Sequence, residues 1–178
     1  MSDTPTDETV DAPGEPEPEV ELEHGVPVSW SRGQRVLHPR REQLRDLVST
    51  LRTDGYDQLI DVTAADYLAP EQPRQLPVGI EPERFEVVVL LLSHERRDRV
   101  RLRVQVPADD PTVPSLFDLH PGSEYPEREA YDMFGIVFED HPDLTRILMP
   151  EDWIGHPLRK DYAVGRIPVQ FKGAPSSR

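Results

Sequence analysis

Apolar residues recur at the spacing of a helix in one early segment of the chain. Four of them lie at positions i, i+3, i+4 and i+7: Leu44, Leu47, Val48 and Leu51. This spacing places them on one helix face, where they can pack against a core. Pro39 suits the first turn of such a helix, and Gly55 lies just past its end. The pattern predicts an amphipathic helix over residues 39–53.

Polar and apolar positions alternate over residues 99–106, where every second residue is valine or leucine. This alternation is typical of a strand with one buried and one polar face. Residues 85–92 form a nearly continuous apolar run, which predicts a strand covered on both faces. The polar link at 93–98 is short enough for an antiparallel hairpin. Residues 58–63 predict a further strand, and the proline-rich stretch 69–82 predicts a loop.

A second helix is predicted to end at Phe134, with Gly135 as its C-terminal stop. Ser123 or Glu124 would cap its beginning. Three residues would form its apolar face: Ala130, Met133 and Phe134. A short strand is predicted at 136–138, and no long periodic element follows it. The fold class is therefore α+β, with a small antiparallel or mixed sheet flanked by helices.

Acidic residues are concentrated at the start of the chain. Residues 1–25 contain nine aspartates and glutamates, no lysine or arginine, and almost no large apolar residue. Such a segment buries too little apolar surface to offset the entropy of ordering it, so we predict a disordered acidic tail. Of the formal net charge of −14, the rest of the chain carries only about −5, which does not favour nucleic-acid binding. The α+β domain is predicted at 26–122.

Several classes of site are excluded by what the sequence lacks. It contains no cysteine, which excludes disulfides, thiolate zinc sites and cysteine-ligated iron–sulfur clusters. It has no apolar run near the ~20 residues that span a bilayer, and its acidic beginning does not fit a signal or transit peptide. The glycine motifs of dinucleotide-binding and phosphate-binding loops and the GxSxG nucleophile motif are also absent.

Two clusters of titratable residues are candidates for chemistry. Glu127, Glu129 and Asp132 offer carboxylates for acid–base catalysis, and the spacing predicts that Glu129 and Asp132 share a helix face. The alternatives are a helix start enriched in acids or an ion-pair network. Six further residues offer metal ligands without metal-site spacing: His120, His141, His156, Asp143, Asp152 and Asp161. The residues alone therefore leave a stand-alone enzyme, with Glu129 or Asp132 as its base, as one hypothesis.

Two sequence blocks carry a family resemblance. The first is EREAYDMFGI at 127–136 with HPDLTRIL at 141–148, and the second is DWIGHPLRKDY at 152–162. These blocks resemble the 30 kDa subunit of respiratory complex I, the proton-pumping NADH-quinone oxidoreductase. The resemblance extends over about residues 30–172. It identifies 123–162 as the family's signature helix and partner-binding segment, followed by an extended C-terminal arm at 163–178.

The resemblance implies a scaffold subunit with no catalytic centre of its own. The family's complex passes electrons from NADH through FMN and iron–sulfur clusters to quinone and couples this respiratory electron transport to proton translocation. FMN and the clusters lie in partner subunits, so we expect no cofactor and no metal on this chain. The expected partners are the large quinone-site subunit and neighbouring iron–sulfur subunits, which would hold the chain peripherally on the cytoplasmic face of the cell membrane. The alternative is the same subunit in a related complex that uses deazaflavin, ferredoxin or hydrogen as donor.

The same resemblance suggests which side chains contact the partner. The charged residues would form ion pairs and hydrogen bonds, and the apolar residues would act as anchors. The expected interface consists of Glu127, Arg128, Glu129, Asp132, Phe134, His141, Arg146, Trp153, His156, Leu158, Arg159, Lys160, Asp161 and Tyr162. Internal packing is the alternative role for each of them.

Overall fold

The computed structural model describes residues 20–70 and 73–163. Its two α-helices are α1, Leu44–Thr53, and α2, Glu124–Phe134. Its strands are β1 Leu22–Glu23, β2 Val26–Ser31, β3 Gln34–Leu37, β4 Gln58–Asp66, β5 Phe85–Ser93, β6 Asp98–Val106, β7 Thr112–Pro114 and β8 Val137–Glu139. Short 3-10 turns at Arg41–Gln43 and Pro121–Ser123 lead into the two helices.

Six strands form one mixed sheet in the order β1-β2-β3-β6-β5-β4. The pairs are antiparallel except β3 with β6, which run parallel. A separate pair, β7 with β8, is also parallel. The predicted α+β fold class with a mixed sheet is therefore confirmed.

The core lies on the helix-facing side of the large sheet. The four predicted apolar residues of α1 are buried there, and so are the alternate valines and leucine of β6. On β5 only one face is fully buried, because Val88, Leu90 and Leu92 on the other face are partly exposed. The prediction that both faces of this strand are covered is wrong for that part. In the loop between β4 and β5, Arg74 stacks on Tyr67 and lies 3.6 Å from the Glu86 carboxylate, at one end of this face.

The sequence did not reveal the strands that come before α1. Residues Leu22–Glu23 lie within the predicted acidic tail, but they form β1 and pair with β2. Residues 1–19 of that tail lie outside the described residues. The predicted helix from residue 39 begins as α-helix only at Leu44. Arg40 has an extended backbone with φ −70° and ψ 161°, and Arg41–Gln43 form a 3-10 turn.

The predicted second helix and its stop are both observed. α2 ends at Phe134, and Gly135 follows with φ 71° in the left-handed region. The helix packs beside β4 and sends the chain into β8 and then into an irregular stretch, residues 140–163, which we call the signature loop. The predicted C-terminal arm lies outside the described residues except for residue 163. In the described parts of the chain, no helix is long and apolar enough to cross a membrane.

Candidate functional site

The second signature block covers the C-terminal end of α2. The last carbonyl groups of a helix have no partner within it and need donors from elsewhere. The donor contacts are 3.0 Å from His156 Nδ1 to the Asp132 carbonyl, 3.0 Å from Leu158 N to the Met133 carbonyl and 2.5 Å from Arg159 Nε to the Phe134 carbonyl. The signature loop therefore caps the helix, and a cationic side chain stands at the negative end of its dipole.

Gly135 makes this close approach possible. A Cβ atom at this position would lie 2.5 Å from Nη2 of Arg159 and 2.5 Å from Nε2 of His156. Its φ of 71° is also a conformation that costs other residues about 1–2 kcal/mol. Both the backbone and the packing thus require glycine at this position of the first signature block.

The carboxylate of Asp132 holds the loop from inside. It is fully buried, and Oδ1 lies 2.6 Å from Nη1 of Arg146. Oδ2 accepts three consecutive main-chain N–H groups, from Ile147 at 3.1 Å, Leu148 at 2.8 Å and Met149 at 2.8 Å. Burial alone would raise the pKa of Asp132, but these donors and Arg146 outweigh it and hold the pKa below its usual value.

A second carboxylate, Asp66 at the end of β4, holds the far end of the signature loop. Its Oδ2 accepts the main-chain N–H of Lys160 at 2.9 Å and lies 2.9 Å from Nη2 of Arg84. The same Arg84 nitrogen lies 2.9 Å from Asp161. Burial acts to raise the pKa of Asp66, but Arg84 and the main-chain donors lower it overall. The loop is therefore held at two places, by α2 at residues 147–149 and by the end of β4 at Lys160.

Glu127 has a third internal role. Its carboxylate is fully buried, accepts the Ser115 hydroxyl at 2.6 Å and accepts the Leu116 N–H at 2.8 Å. Burial raises the pKa of Glu127 despite these donors. The side chain joins α2 to the segment that follows β7.

Glu129 and Asp132 do not present their carboxylates together on one accessible face of α2, as the sequence predicted. Glu129 is exposed, whereas Asp132 is buried. Positions three apart on a helix differ by about 60° around its axis, so the two residues lie on opposite sides of the boundary between buried and exposed surface. Neither carboxylate is paired with the other for acid–base work.

The fourteen predicted interface residues fall into three groups by exposure. Buried are Glu127, Asp132 and Phe134; partly exposed are Arg128, His141, Arg146, Trp153, His156, Arg159 and Tyr162; exposed are Glu129, Leu158, Lys160 and Asp161. Contact of this set with a partner stays a prediction. Asp66 and Arg84 were not among the predicted site residues, because both lie outside the two signature blocks. Over residues 20–70 and 73–163, no three His, Asp or Glu side chains are placed to hold a metal ion.

A groove opens where the signature loop meets β4. Its volume is about 710 Å³, and its walls include Ala65, Leu68, Phe134, Leu158 and Lys160. The lining side chains are mostly apolar, and three charged residues, Asp66, Arg74 and Lys160, complete the lining. Such a surface suits packing against an apolar side chain rather than a catalytic reaction.

Comparison with known proteins identifies close relatives. The chain is 44% identical over 161 residues to the NADH-quinone oxidoreductase subunit designated C of Saccharopolyspora erythraea, which covers 85% of this chain and 61% of that protein. It is 49% identical over 143 residues to the same subunit of Roseiflexus castenholzii, covering 79% and 76%. The chain thus spans about three fifths of the length of some curated relatives that it matches.

Solved structures share the fold. A trypsin-resistant fragment (1-134) of Nqo5 is 36% identical with a TM-score of 0.60, covering 67% of this chain and 90% of the fragment. A chain of an archaeal respiratory membrane complex, the membrane-bound sulfane sulfur reductase, matches the fold at 22% identity with a TM-score of 0.59, covering 78% of each chain. The family model described as "Respiratory-chain NADH dehydrogenase, 30 Kd subunit" matches residues 37–167. This chain therefore belongs to the 30 kDa subunit family of respiratory-chain NADH dehydrogenase.

Proposed function

We propose that this chain is the 30 kDa scaffold subunit, without its own catalytic centre, in the hydrophilic arm of a proton-translocating NADH-quinone oxidoreductase. The relatives from Saccharopolyspora and Roseiflexus carry the name of that enzyme. In this proposal the complex oxidises NADH, and FMN and the iron–sulfur clusters lie in partner subunits. The large quinone-site subunit is the direct neighbour, and the chain reaches the cytoplasmic face of the membrane only through the complex.

The observation that carries this proposal is the construction of the signature loop. The buried carboxylate of Asp132 accepts main-chain N–H groups from residues 147–149 inside the loop, and that of Asp66 accepts the N–H of Lys160 near its C-terminal end. The loop contains no regular helix or strand between residues 140 and 163, yet it is held in one shape. An irregular surface fixed in this way suits a preformed contact for another subunit, because little entropy remains to be lost on binding.

The carboxylate groups support a scaffold better than an enzyme. The buried carboxylates of Glu127 and Asp132 each accept hydrogen bonds from other groups of the chain, and Glu129 is exposed on the surface. A general base must reach a substrate proton within hydrogen-bond distance in a site that holds the substrate. Catalytic activity of the purified single chain with small substrates would overturn this view.

Purification from native membranes tests the proposal directly. The chain carries an affinity tag, membranes of its own host are solubilised gently, and the co-purifying proteins are identified beside an untagged strain. We expect the quinone-site, iron–sulfur and FMN-binding subunits together with NADH-quinone activity. Recovery of cluster subunits without an NADH-oxidising module would assign another electron donor. Recovery of the chain alone would contradict the scaffold role.

A further inference from the structure

The signature loop exposes large aliphatic side chains although it is firmly held. The exposed fractions are 55% for Leu148, 87% for Ile154 and 52% for Leu158. Isolated exposed apolar residues are common, but several on one fixed loop indicate a surface that another protein covers.

These three side chains emerge around the same end of α2. The N–H of Leu148 is bound to the Asp132 carboxylate at 2.8 Å, and that of Leu158 to the Met133 carbonyl at 3.0 Å. Ile154 precedes Gly155, whose carbonyl accepts a hydrogen bond from Arg146 at 3.0 Å. Two adjacent helix residues and one arginine thus fix the backbone beside all three apolar groups.

The groove at β4 adds a depression to this surface, which a side chain of a partner can enter. Leu158 lines this groove together with Ala65, in β4, and Leu68, just after the strand. Leu68 itself is 41% exposed. The apolar surface therefore has both projecting side chains and a depression of about 710 Å³ that a partner's side chain can enter.

The exposed charges of the signature loop next to Ile154 are negative, whereas the groove itself is lined by Arg74 and Lys160 beside Asp66. Four carboxylates of the signature loop are exposed and make no ion pair within the described part of the chain: Asp140, Asp143, Glu151 and Asp152. The arginines of the same region, Arg146 and Arg159, are used by internal carboxylate and carbonyl groups. Lys160 is an exposed cation in the wall of the groove.

We propose that Leu148, Ile154, Leu158 and the adjacent groove form the docking site for a neighbouring subunit whose contact surface is apolar at its centre and basic at its rim. The proposal rests on the scaffold function above and changes the roles expected from the sequence. Asp132 and Arg146 position the loop from within, while aliphatic side chains make the central contact. The acidic rim of Glu151 and Asp152 attracts and orients the basic partner.

Substitution of the most exposed aliphatic residue tests the central contact. Ile154→Asp is introduced into the tagged chain in its host, and the fraction of chain found in the membrane complex is measured. Val78→Asp is the matched control, because Val78 is 59% exposed but lies in the loop before β5. We expect at least a tenfold loss of assembled complex for Ile154→Asp and less than a twofold change for Val78→Asp. The unfolding temperatures of both purified chains should match the wild type.

Reversal of the charges of Glu151 and Asp152 tests whether the partner is basic at its rim. Glu151→Arg combined with Asp152→Arg should lower the assembled fraction severalfold at low salt, and added salt should narrow this difference. Glu95→Arg, in the exposed turn between β5 and β6, reverses one exposed carboxylate away from the loop and is the control for each of the two single reversals. An unchanged assembled fraction after rim reversal would overturn the basic-rim assignment.

The outcomes separate the docking site from the scaffold function. If the wild-type chain co-purifies with the complex and Ile154→Asp does so equally, the docking site is wrong and the scaffold function stands. If the wild-type chain co-purifies with no partner, the scaffold function itself fails. If Ile154→Asp lowers the unfolding temperature, Ile154→Ala replaces it, and equal assembly of that variant and the wild type overturns the docking site.

Discussion

The carboxylate of Asp132 and the guanidinium of Arg146 meet at 2.6 Å, with the carboxylate fully buried. Asp132→Asn keeps the shape but removes the charge and directs an amide N–H₂ at N–H donors. Breaking a buried pair of this kind costs about 3–5 kcal/mol. We expect hydrogen exchange at the main-chain amides of residues 147–149 to rise by at least tenfold while the β5–β6 amides stay protected.

The control for this variant is Asp143→Asn, which removes an exposed carboxylate from the same loop. It should leave exchange at residues 147–149 unchanged. Equal protection in Asp132→Asn and the wild type would show that the loop does not depend on this carboxylate.

Gly135→Ala should destabilise the chain by about 3 kcal/mol. Roughly 1–2 kcal/mol comes from the left-handed backbone, and the rest from displacing His156 and Arg159, which a Cβ would meet at 2.5 Å. Denaturant unfolding measures the loss. Gly25→Ala has a similar φ of 76° with open space around it, so it should show the backbone cost alone. Gly122→Ala has neither feature and should cost little. A cost of Gly25→Ala as large as that of Gly135→Ala would contradict the packing argument.

Arg159→Ala should lower the amount of assembled complex while the isolated chain stays folded. The variant leaves the Phe134 carbonyl without its charged donor, which weakens the end of the loop by about 1.5–3 kcal/mol. Assembly is measured from membranes, and folding from circular dichroism of the purified chain. Arg99→Ala, on the exposed side of β6, is the control. Loss of the fold in Arg159→Ala would assign this residue to internal packing alone.

The lowered pKa of His38 should make the stability of the chain depend on pH. Burial and the neighbouring Arg103 lower its pKa to about 4, with Glu86 acting in the opposite direction. An unfolded histidine titrates near 6.5, so between these values the unfolded chain binds a proton that the folded chain does not. The free energy of unfolding therefore falls as the pH is lowered from about 6.5 to 4, by up to about 3 kcal/mol from this group.

Urea unfolding of wild type and His38→Gln at several pH values measures this contribution. The variant should lose less stability than the wild type over the range. Ser29→Ala, which removes the hydroxyl 2.8 Å from Nε2 of His38, should lower stability without removing the slope. Parallel curves for the wild type and His38→Gln would contradict the assignment.

The elements that the sequence predicted well are those with strong apolar periodicity. The α1 face and the β6 alternation depend on four apolar residues each, and these are buried. The β2–β3 hairpin has a weaker signal, since Pro27 and several polar residues interrupt it. The glycine of its turn is the usable sequence signal. Arg32 and Gly33 both have positive φ, as a two-residue type I′ turn requires.

The site was predictable in its residues but not in its contacts. Gly135 could be identified as a helix stop, and the signature blocks mark the correct segments. The donors to Asp132 are main-chain N–H groups of residues 147–149, which any residue type except proline supplies. No pattern of side chains therefore reveals that this aspartate faces inward and Glu129 outward.

The parallel pairing of β3 with β6 also bears on how the chain is made. Arg35 and Asp98, which bind each other at 3.1 Å, are 63 positions apart. During synthesis the first hairpin therefore leaves the ribosome well before the strand that it must join, and the loop between them must close before the sheet is complete. Until β3 has paired with β6, the edge of β6 has unpaired main-chain groups that other chains can bind. Fragments that lack residues 20–37 should therefore aggregate.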